Sequence, residues 1–429
     1  MTSTNPTSST RDLTASAGVV APEPAAAPKD VAAQAVATVQ PGLTAPPRRS
    51  SSLLALGIVG IILVSLVTLF VAVYLITGLG GDAFALGGIM ALVPLAIVFF
   101  AVRWIDRWEP EPRVAVIFAF LCGAGVSVLI ALLVGAEIDN VINSMGGPGP
   151  GYQFFGAAIQ APIVEEFGKG LGLLILFWVA RKHFDGPVDG LVYAAWVAGG
   201  FAFTENILYF GSPLLDVGGF DGSVFEIFLI RGIMAPFAHA MFTASTGIAL
   251  GFAARRTGAF GAIGFFLLGL IPAILLHAFW NGALFFVSDF YGYYAIVQVP
   301  LFIMAVALVF FLRRQESKLT HDRLSEYAAV GWFDPAEINA LATPNGRRQA
   351  IAWAGRSGKG REMKRYIQDA TRLAFARQRI ITGRAKVGAE ADEAAMLAAI
   401  VESRKSLVGV GSAVQAPATP TTPSGTPGA

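Results

Sequence analysis

Eight apolar runs, each long enough to cross a hydrocarbon layer of ~30 Å as a helix, dominate this chain. They are expected near 53–77, 83–102, 114–135, 155–180, 188–210, 224–253, 259–286 and 293–312. With 55% hydrophobic and only 14% charged residues, a chain of 429 residues has too little polar surface for a soluble globular fold. Lipid offers no water to an open backbone, so the expected architecture is an all-α polytopic membrane protein of about eight transmembrane helices.

Loop charges give an expected orientation. Arg48 and Arg49, then Arg103, Arg107 and Arg113, then Arg181 and Lys182, then Arg255 and Arg256, then Arg313 and Arg314 fall on alternate loops. The loops between them hold Asp82, Glu137, Asp139, Asp216, Asp221 and Asp289. The positive-inside rule then places both termini in the cytoplasm. Residues 1–50 are rich in Ser, Thr, Pro and Ala and lack an apolar core, so a disordered tail with no cleavable signal peptide is expected there. The end of the chain, 407–429, reads the same way. Between the membrane part, 51–312, and that tail lies a basic segment, 313–406, expected to be helical and cytoplasmic. Asp334, Pro335 and Glu337 have the spacing of a helix start, Pro344, Asn345 and Gly346 signal a turn, and Ala391 to Lys405 reads as a further helix. A formal net charge of +2 suggests no nucleic-acid partner. The single cysteine, Cys122, allows neither an internal disulfide nor a cysteine-based zinc site, and reads as packing.

Four of the spans carry residues that lipid rejects. An ionised side chain at mid-bilayer costs at least ~2.5–3.5 kcal/mol, and such groups are functional by default. Glu165, Glu166 and Lys169 lie in the fourth span, and helical spacing sets the lysine beside both carboxylates. Lys169 can neutralise one of them, leaving the other to activate water as a general base. Glu205 and Asn206 lie towards the outer end of the fifth span, His239 and Thr243 in the sixth, and His277 and Asn281 in the seventh. Each histidine thus has a small hydrogen-bonding residue one turn away. Two histidines, a carboxylate and a water form a workable catalytic zinc shell. The same imidazoles and the Asn281 amide could instead hold a developing oxyanion without metal. Arg231, two turns before His239, either snorkels to the outer surface or pairs with a carboxylate. Phe201, Phe203 and Trp280 read as packing residues. At 1.5 Å per residue all these polar groups can converge between the midplane and the outer face.

Familiar signatures of other hydrolases are missing. The sequence has no His-Glu-x-x-His helix, no Gly-x-Ser-x-Gly elbow and no pair of aspartates within the spans. A proton-coupled transporter or channel, and a non-catalytic binding or immunity scaffold, are the alternative functions that buried Glu, His and Lys would also serve.

The motifs Glu165-Glu166-x-x-Lys169, Phe201-x-x-x-Glu205-Asn206, His239 and His277-x-x-x-Asn281 together resemble the PrsW family of intramembrane proteases, a branch of the superfamily that includes CAAX prenyl endopeptidases. The likeness covers roughly residues 85–312 and extends to the stretch Glu109, Pro110, Glu111, Pro112, whose flanking Trp104 and Trp108 fit an interfacial turn. The resemblance implies a bacterial plasma-membrane protease that cuts a membrane-anchored, single-span, anti-sigma-factor-like substrate on the extracytoplasmic side. Glu165 and Glu166 would activate water and Lys169 would balance their charge. His239, His277 and Glu205 would bind zinc or the oxyanion, and Asn281 would orient or donate.

Overall fold

A computed structural model describes residues 51–181, 184–258, 260–382 and 389–407. The expected tails, 1–50 and 407–429 apart from Leu407, lie outside the described residues, as does His183. Every regular element among the described residues is helical. The helices are α1 (Ser51–Leu79), α2 (Gly81–Ile105), α3 (Arg113–Ser144), α4 (Ala161–Val179), α5 (Pro187–Val217), α6 (Gly222–Ile227), α7 (Ala238–Arg256), α8 (Ala262–Ala283), α9 (Val299–Ala329), α10 (Pro335–Ala342), α11 (Pro344–Gly355), α12 (Gly360–Ile381) and α13 (Ala389–Leu407).

Seven helical stretches of the described residues are long and apolar enough to cross a membrane. The fourth expected span, near 155–180, forms α4, whose 19 residues include Glu165, Glu166 and Lys169 and are therefore too charged to join that set. α4 is entered through a π-helical turn, Gly156–Gln160, with Pro162 in its first turn, where a missing N–H does no harm.

α5 is the central pillar. Its most apolar stretch is 72% buried by the protein, against 11–39% for the other candidate spans. It packs on α2, α3 and α7. Glycine makes the α5–α7 contact possible. A Cβ added at Gly190 would lie 1.9 Å from the Gly247 carbonyl oxygen, and one at Gly247 would lie 2.1 Å from that of Gly190. The two backbones touch, as small residues permit in membranes, where tight packing replaces the hydrophobic effect as the glue. Around this contact Leu173, Phe177, Tyr193, Val197, Leu250 and Phe266 build a core shared by α4, α5, α7 and α8. Cys122 is buried against Gly172 of α4, in line with a packing role.

The sixth expected span, 224–253, is not one continuous helix. α6 passes into a π-helical stretch, Phe228–Met234, and the chain turns at Ala235–Phe237 before α7 begins. The cause is Pro236, which has no N–H to give and crowds the preceding turn. The opened backbone is satisfied from near and far: Ala235 N donates to Ile230 O at 3.0 Å, and the Tyr294 hydroxyl donates to Met234 O at 2.8 Å.

The last expected span does not stop at 312. No breaker separates Leu312 from Ala329, and α9 runs on to Ala329 through a stretch rich in good helix formers. The Asp334 start forms as expected: its carboxylate accepts from Ala336 N at 2.8 Å, and Glu337 accepts from Asp334 N at 3.3 Å. The turn expected at Pro344–Gly346 is instead the first turn of α11. Thr343 caps it by accepting from Gly346 N at 3.0 Å, and Pro344 takes the N-terminal position it suits. The helix expected at 391–405 is α13.

Helices α10–α13 and the end of α9 share a second core of Leu324, Phe333, Leu341, Tyr366, Leu373 and Ile400. Two cations fasten this group to the membrane helices. Arg347 is buried, donates to Trp108 O at 3.1 Å and to Thr371 at 2.7 Å, and stacks 3.4 Å over the Trp108 ring. Arg379 pairs with Asp185 at 2.6 Å. Trp108 is therefore buried beneath a guanidinium, which corrects the expectation of an interfacial turn. The same loop sends Glu111 against Tyr193 of α5, whose hydroxyl donates at 2.5 Å, while burial pushes the Glu111 carboxyl well above the usual carboxylate range.

Because Gly190 faces backbone, Gly190→Val should destabilise the protein by more than the ~1–3 kcal/mol typical of core overpacking. Gly78→Val, in open space, should be near neutral. Thermal unfolding of both variants in detergent checks this, and equal midpoints would refute the close-contact account.

Candidate active site

α4, α7 and α8 deliver polar groups to a common point, with Glu205 of α5 behind them. Glu166 is its most connected member. Its side chain is fully buried, with Oε1 2.6 Å from Lys169 Nζ, one turn on in the same helix. Oε1 also accepts from His277 Nδ1 at 3.1 Å, and Oε2 accepts from the Thr243 hydroxyl at 2.8 Å. Lys169 is equally enclosed: Nζ donates to His239 Nδ1 at 3.2 Å and sits 4.3 Å over the Phe201 ring.

Glu165 differs from its neighbour. Oε2 is buried but has no hydrogen-bond partner. It lies 3.5 Å from Lys169 Nζ and 4.0 Å from both His239 Nδ1 and His277 Nε2. An unpartnered carboxylate oxygen in such a place is the group to ask about, since burying it uncompensated is costly.

The hydrogen-bond partners fix both imidazole tautomers. His239 Nε2 donates to Glu205 Oε2 at 2.9 Å, leaving the Nδ1 lone pair towards Glu165. His277 Nδ1 donates to Glu166, leaving the Nε2 lone pair towards the same atom. Asn281 completes the ring: Nδ2 donates to Ala157 O at 3.1 Å and to His277 Nε2 at 3.3 Å. Phe242 stacks 4.7 Å from the His277 ring and holds it, with Trp280 edge-on behind.

This geometry bears on metal binding. The ligand atoms of Glu165, His239 and His277 all lie within 4.8 Å of one another. Two neutral imidazole lone pairs and one free carboxylate oxygen are the donor set of a His₂Glu zinc site, and each histidine is held from behind by a second carboxylate, as metal-ligating histidines usually are. The donors fit a divalent cation. The two lone pairs now accept from Lys169 and Asn281, so those N–H groups would have to turn away.

The expected site residues do not all meet at this point. Glu205, expected as a metal ligand with His239 and His277, lies behind His239 and pairs with Arg231 at 2.5 Å, and it is Glu165 that clusters with the two histidines. Arg231 thus pairs with a carboxylate rather than reaching only for the surface. Thr243 supports Glu166 and not its own helix neighbour His239. Phe201, read as packing, also faces the Lys169 ammonium. Phe242, stacked on His277, joins the site unannounced. Helical spacing alone put Thr243 on the right face, but its partner lies in another helix. His321 is half-exposed on α9, near Asp322, far along the chain from these groups.

Residues 111–309 match the profile of the PrsW family intramembrane metalloproteases. Among curated relatives, a protein named Protease PrsW from Clostridioides difficile is 31% identical over 160 residues, 37% of this chain and 62% of the relative. One of the same name from Geobacillus kaustophilus is 33% identical over 34% of this chain and 57% of its own length. The Bacillus subtilis Protease PrsW is 28% identical over 44% of this chain and 78% of its own. The chain thus spans less than two thirds of the first two relatives. No solved structure matches the fold. These matches make residues 111–309 of the chain similar to the PrsW family of intramembrane metalloproteases.

Proposed function

We propose that this protein is an intramembrane endopeptidase and that Glu165, His239 and His277 form its reacting centre. The observation that carries this reading is the unpartnered Glu165 Oε2 facing two imidazole lone pairs. The family match supports peptide hydrolysis, and the relatives share the name of a protease. Glu165 is the carboxylate free to take a proton from water or to hold a cation. Glu166 holds His277 and Lys169 in place, while Lys169 and Asn281 are the N–H donors nearest the reacting space. A divalent ion, which we propose to be zinc held by His239, His277 and Glu165, would supply Lewis-acid polarisation and acidify water.

The wider reading is an eight-span membrane domain, 51–312, with α4 as the fourth span. It places both termini and the basic 313–406 segment in the cytoplasm of a bacterial cell and the site in the outer half of the plasma membrane. The substrate is a single-span, anti-sigma-factor-like membrane protein. Alternating loop charge supports the orientation. The enclosure of α4 by α5, α7 and α8 supports its place within the membrane despite its charges.

Glu165→Ala, which removes the proposed general base, should leave the protein inserted but lower cleavage of a single-span reporter by ~10²–10⁴-fold, and His277→Ala, which removes a proposed ligand, should also abolish most of the cleavage. Wild-type rates in both variants would end the protease reading. A chelator should stop cleavage by the purified protein, and added zinc should restore it. Cleavage unaffected by chelator, in protein that metal analysis finds free of zinc, would leave a glutamate-activated water without metal. Orientation can be read from cysteine labelling in a Cys122→Ala background. Asp221→Cys should react with a membrane-impermeant reagent in intact cells and Lys318→Cys only after permeabilisation; the reverse pattern would invert the topology.

A further inference from the structure

Arg231 lies outside the reacting centre, yet its surroundings are unusually specific. It sits in the π-helical stretch Phe228–Met234, a local rewinding that re-aims side chains and is frequent at functional sites. Its guanidinium reaches three positions on one face of α5. Nη2 pairs with Glu205 Oε2 at 2.5 Å, Nε donates to Asn206 Oδ1 at 3.3 Å, and the planar group lies 3.7 Å over the Tyr209 ring. Such a planar fork suits Arg and not Lys. The oxygen that Arg231 holds, Glu205 Oε2, is also the one that accepts from His239 Nε2. One carboxylate oxygen therefore joins the arginine to the imidazole.

We propose that Arg231 is a positioning residue that sets the tautomer of His239. Held by Arg231, Glu205 keeps its oxygen on His239 Nε2, which must then carry the proton. The Nδ1 lone pair is left facing Glu165, as a ligand or acceptor in the reacting centre requires. Released from Arg231, the Glu205 side chain has rotamers that no longer meet His239. The imidazole then keeps only the Lys169 donor at Nδ1 to hold its proton on Nε2, and it can place that proton on Nδ1, losing the lone pair there, once the ammonium turns away. The inference rests on the proposed role of His239, but the tautomer itself can be observed without either metal or substrate.

The test uses the full chain in detergent, labelled with ¹⁵N at its four histidines. The His239 signal is assigned by its loss in His239→Gln. Metal-free wild-type protein should show His239 protonated at Nε2. Arg231→Gln should show a mixture of tautomers or the Nδ1 form, and Arg231→Lys should recover the wild-type signal in part. An unchanged Nε2–H signal in Arg231→Gln would overturn the proposal. Cobalt titration gives a second readout. Loss of a residue that orients a metal-binding histidine should weaken binding about 10–100-fold. Arg231→Gln in a Glu205→Gln background should add no further loss, because both residues act through one oxygen. Additive losses would instead mean that Arg231 acts independently of Glu205, and would also overturn it. Failure of wild-type protein to bind cobalt would remove the metal from the proposed function, while the tautomer measurement would still decide the role of Arg231.

Discussion

The pairing of Glu166 with Lys169 at 2.6 Å, with neither side chain exposed, is the interaction on which the rest depends. Two full charges one turn apart on a helix inside an apolar bundle stand only as a pair. Removing one partner of a buried ion pair typically costs ~3–5 kcal/mol, because the other charge remains buried and uncompensated. The pair satisfies itself first and then organises its neighbours. Glu166 fixes the His277 tautomer and receives Thr243, and Lys169 reaches His239. Two of these contacts cross to α7 and one to α8, so the pair also locks α4 to both helices.

Such contacts need short distances between helices, and lipid does not press helices together. Small residues supply the approach. The backbone contact of Gly190 with Gly247 draws α7 onto α5, and Gly170 leaves room for Phe266 of α8 against α4. The core around Leu173, Tyr193, Leu250 and Phe266 then sets the spacing from which the polar side chains reach one another. The site is thus placed by its apolar surroundings and locked by its polar members.

Much of this was legible in the sequence, and the limits have physical causes. Ionisable residues inside apolar runs stand out because their cost is large, which is why Glu165, Glu166, Lys169, Glu205, His239 and His277 could be singled out. Helix ends with side-chain caps, such as Asp334, were legible because the bonds are local. Pairings between helices were not: Thr243 is one turn from His239 but serves Glu166, and the partner of Arg231 was left open until α5 and the π-helical stretch were placed side by side. Pro236 was visible, yet whether a proline bends a membrane helix or opens it depends on who satisfies the freed carbonyls. Here the answer is Tyr294, nearly 60 residues along the chain. Similarly, Trp108 looked interfacial because its cover, Arg347, is 239 residues away in sequence.

The charges of the site do not balance, and the imbalance is localised. Glu165, Glu166 and Glu205 are three potential anions; Lys169 and Arg231 are two lasting cations. With both imbalanced pairings assigned by distance, Lys169 belongs to Glu166 and Arg231 to Glu205. The imidazoles add no charge in the tautomers their partners impose. The remaining anion is Glu165, and its Oε2 is the atom without a hydrogen-bond partner. Such a residue in an apolar bundle must take a proton or a cation, and those are the two things that water activation, without metal or with it, asks of a carboxylate. Lys169 and Arg231 each lie closest to another carboxylate, so the charge left over falls on Glu165, which shares Lys169 at 3.5 Å and sits between the two imidazole lone pairs, and the electrostatic deficit and the proposed chemistry meet on the same residue.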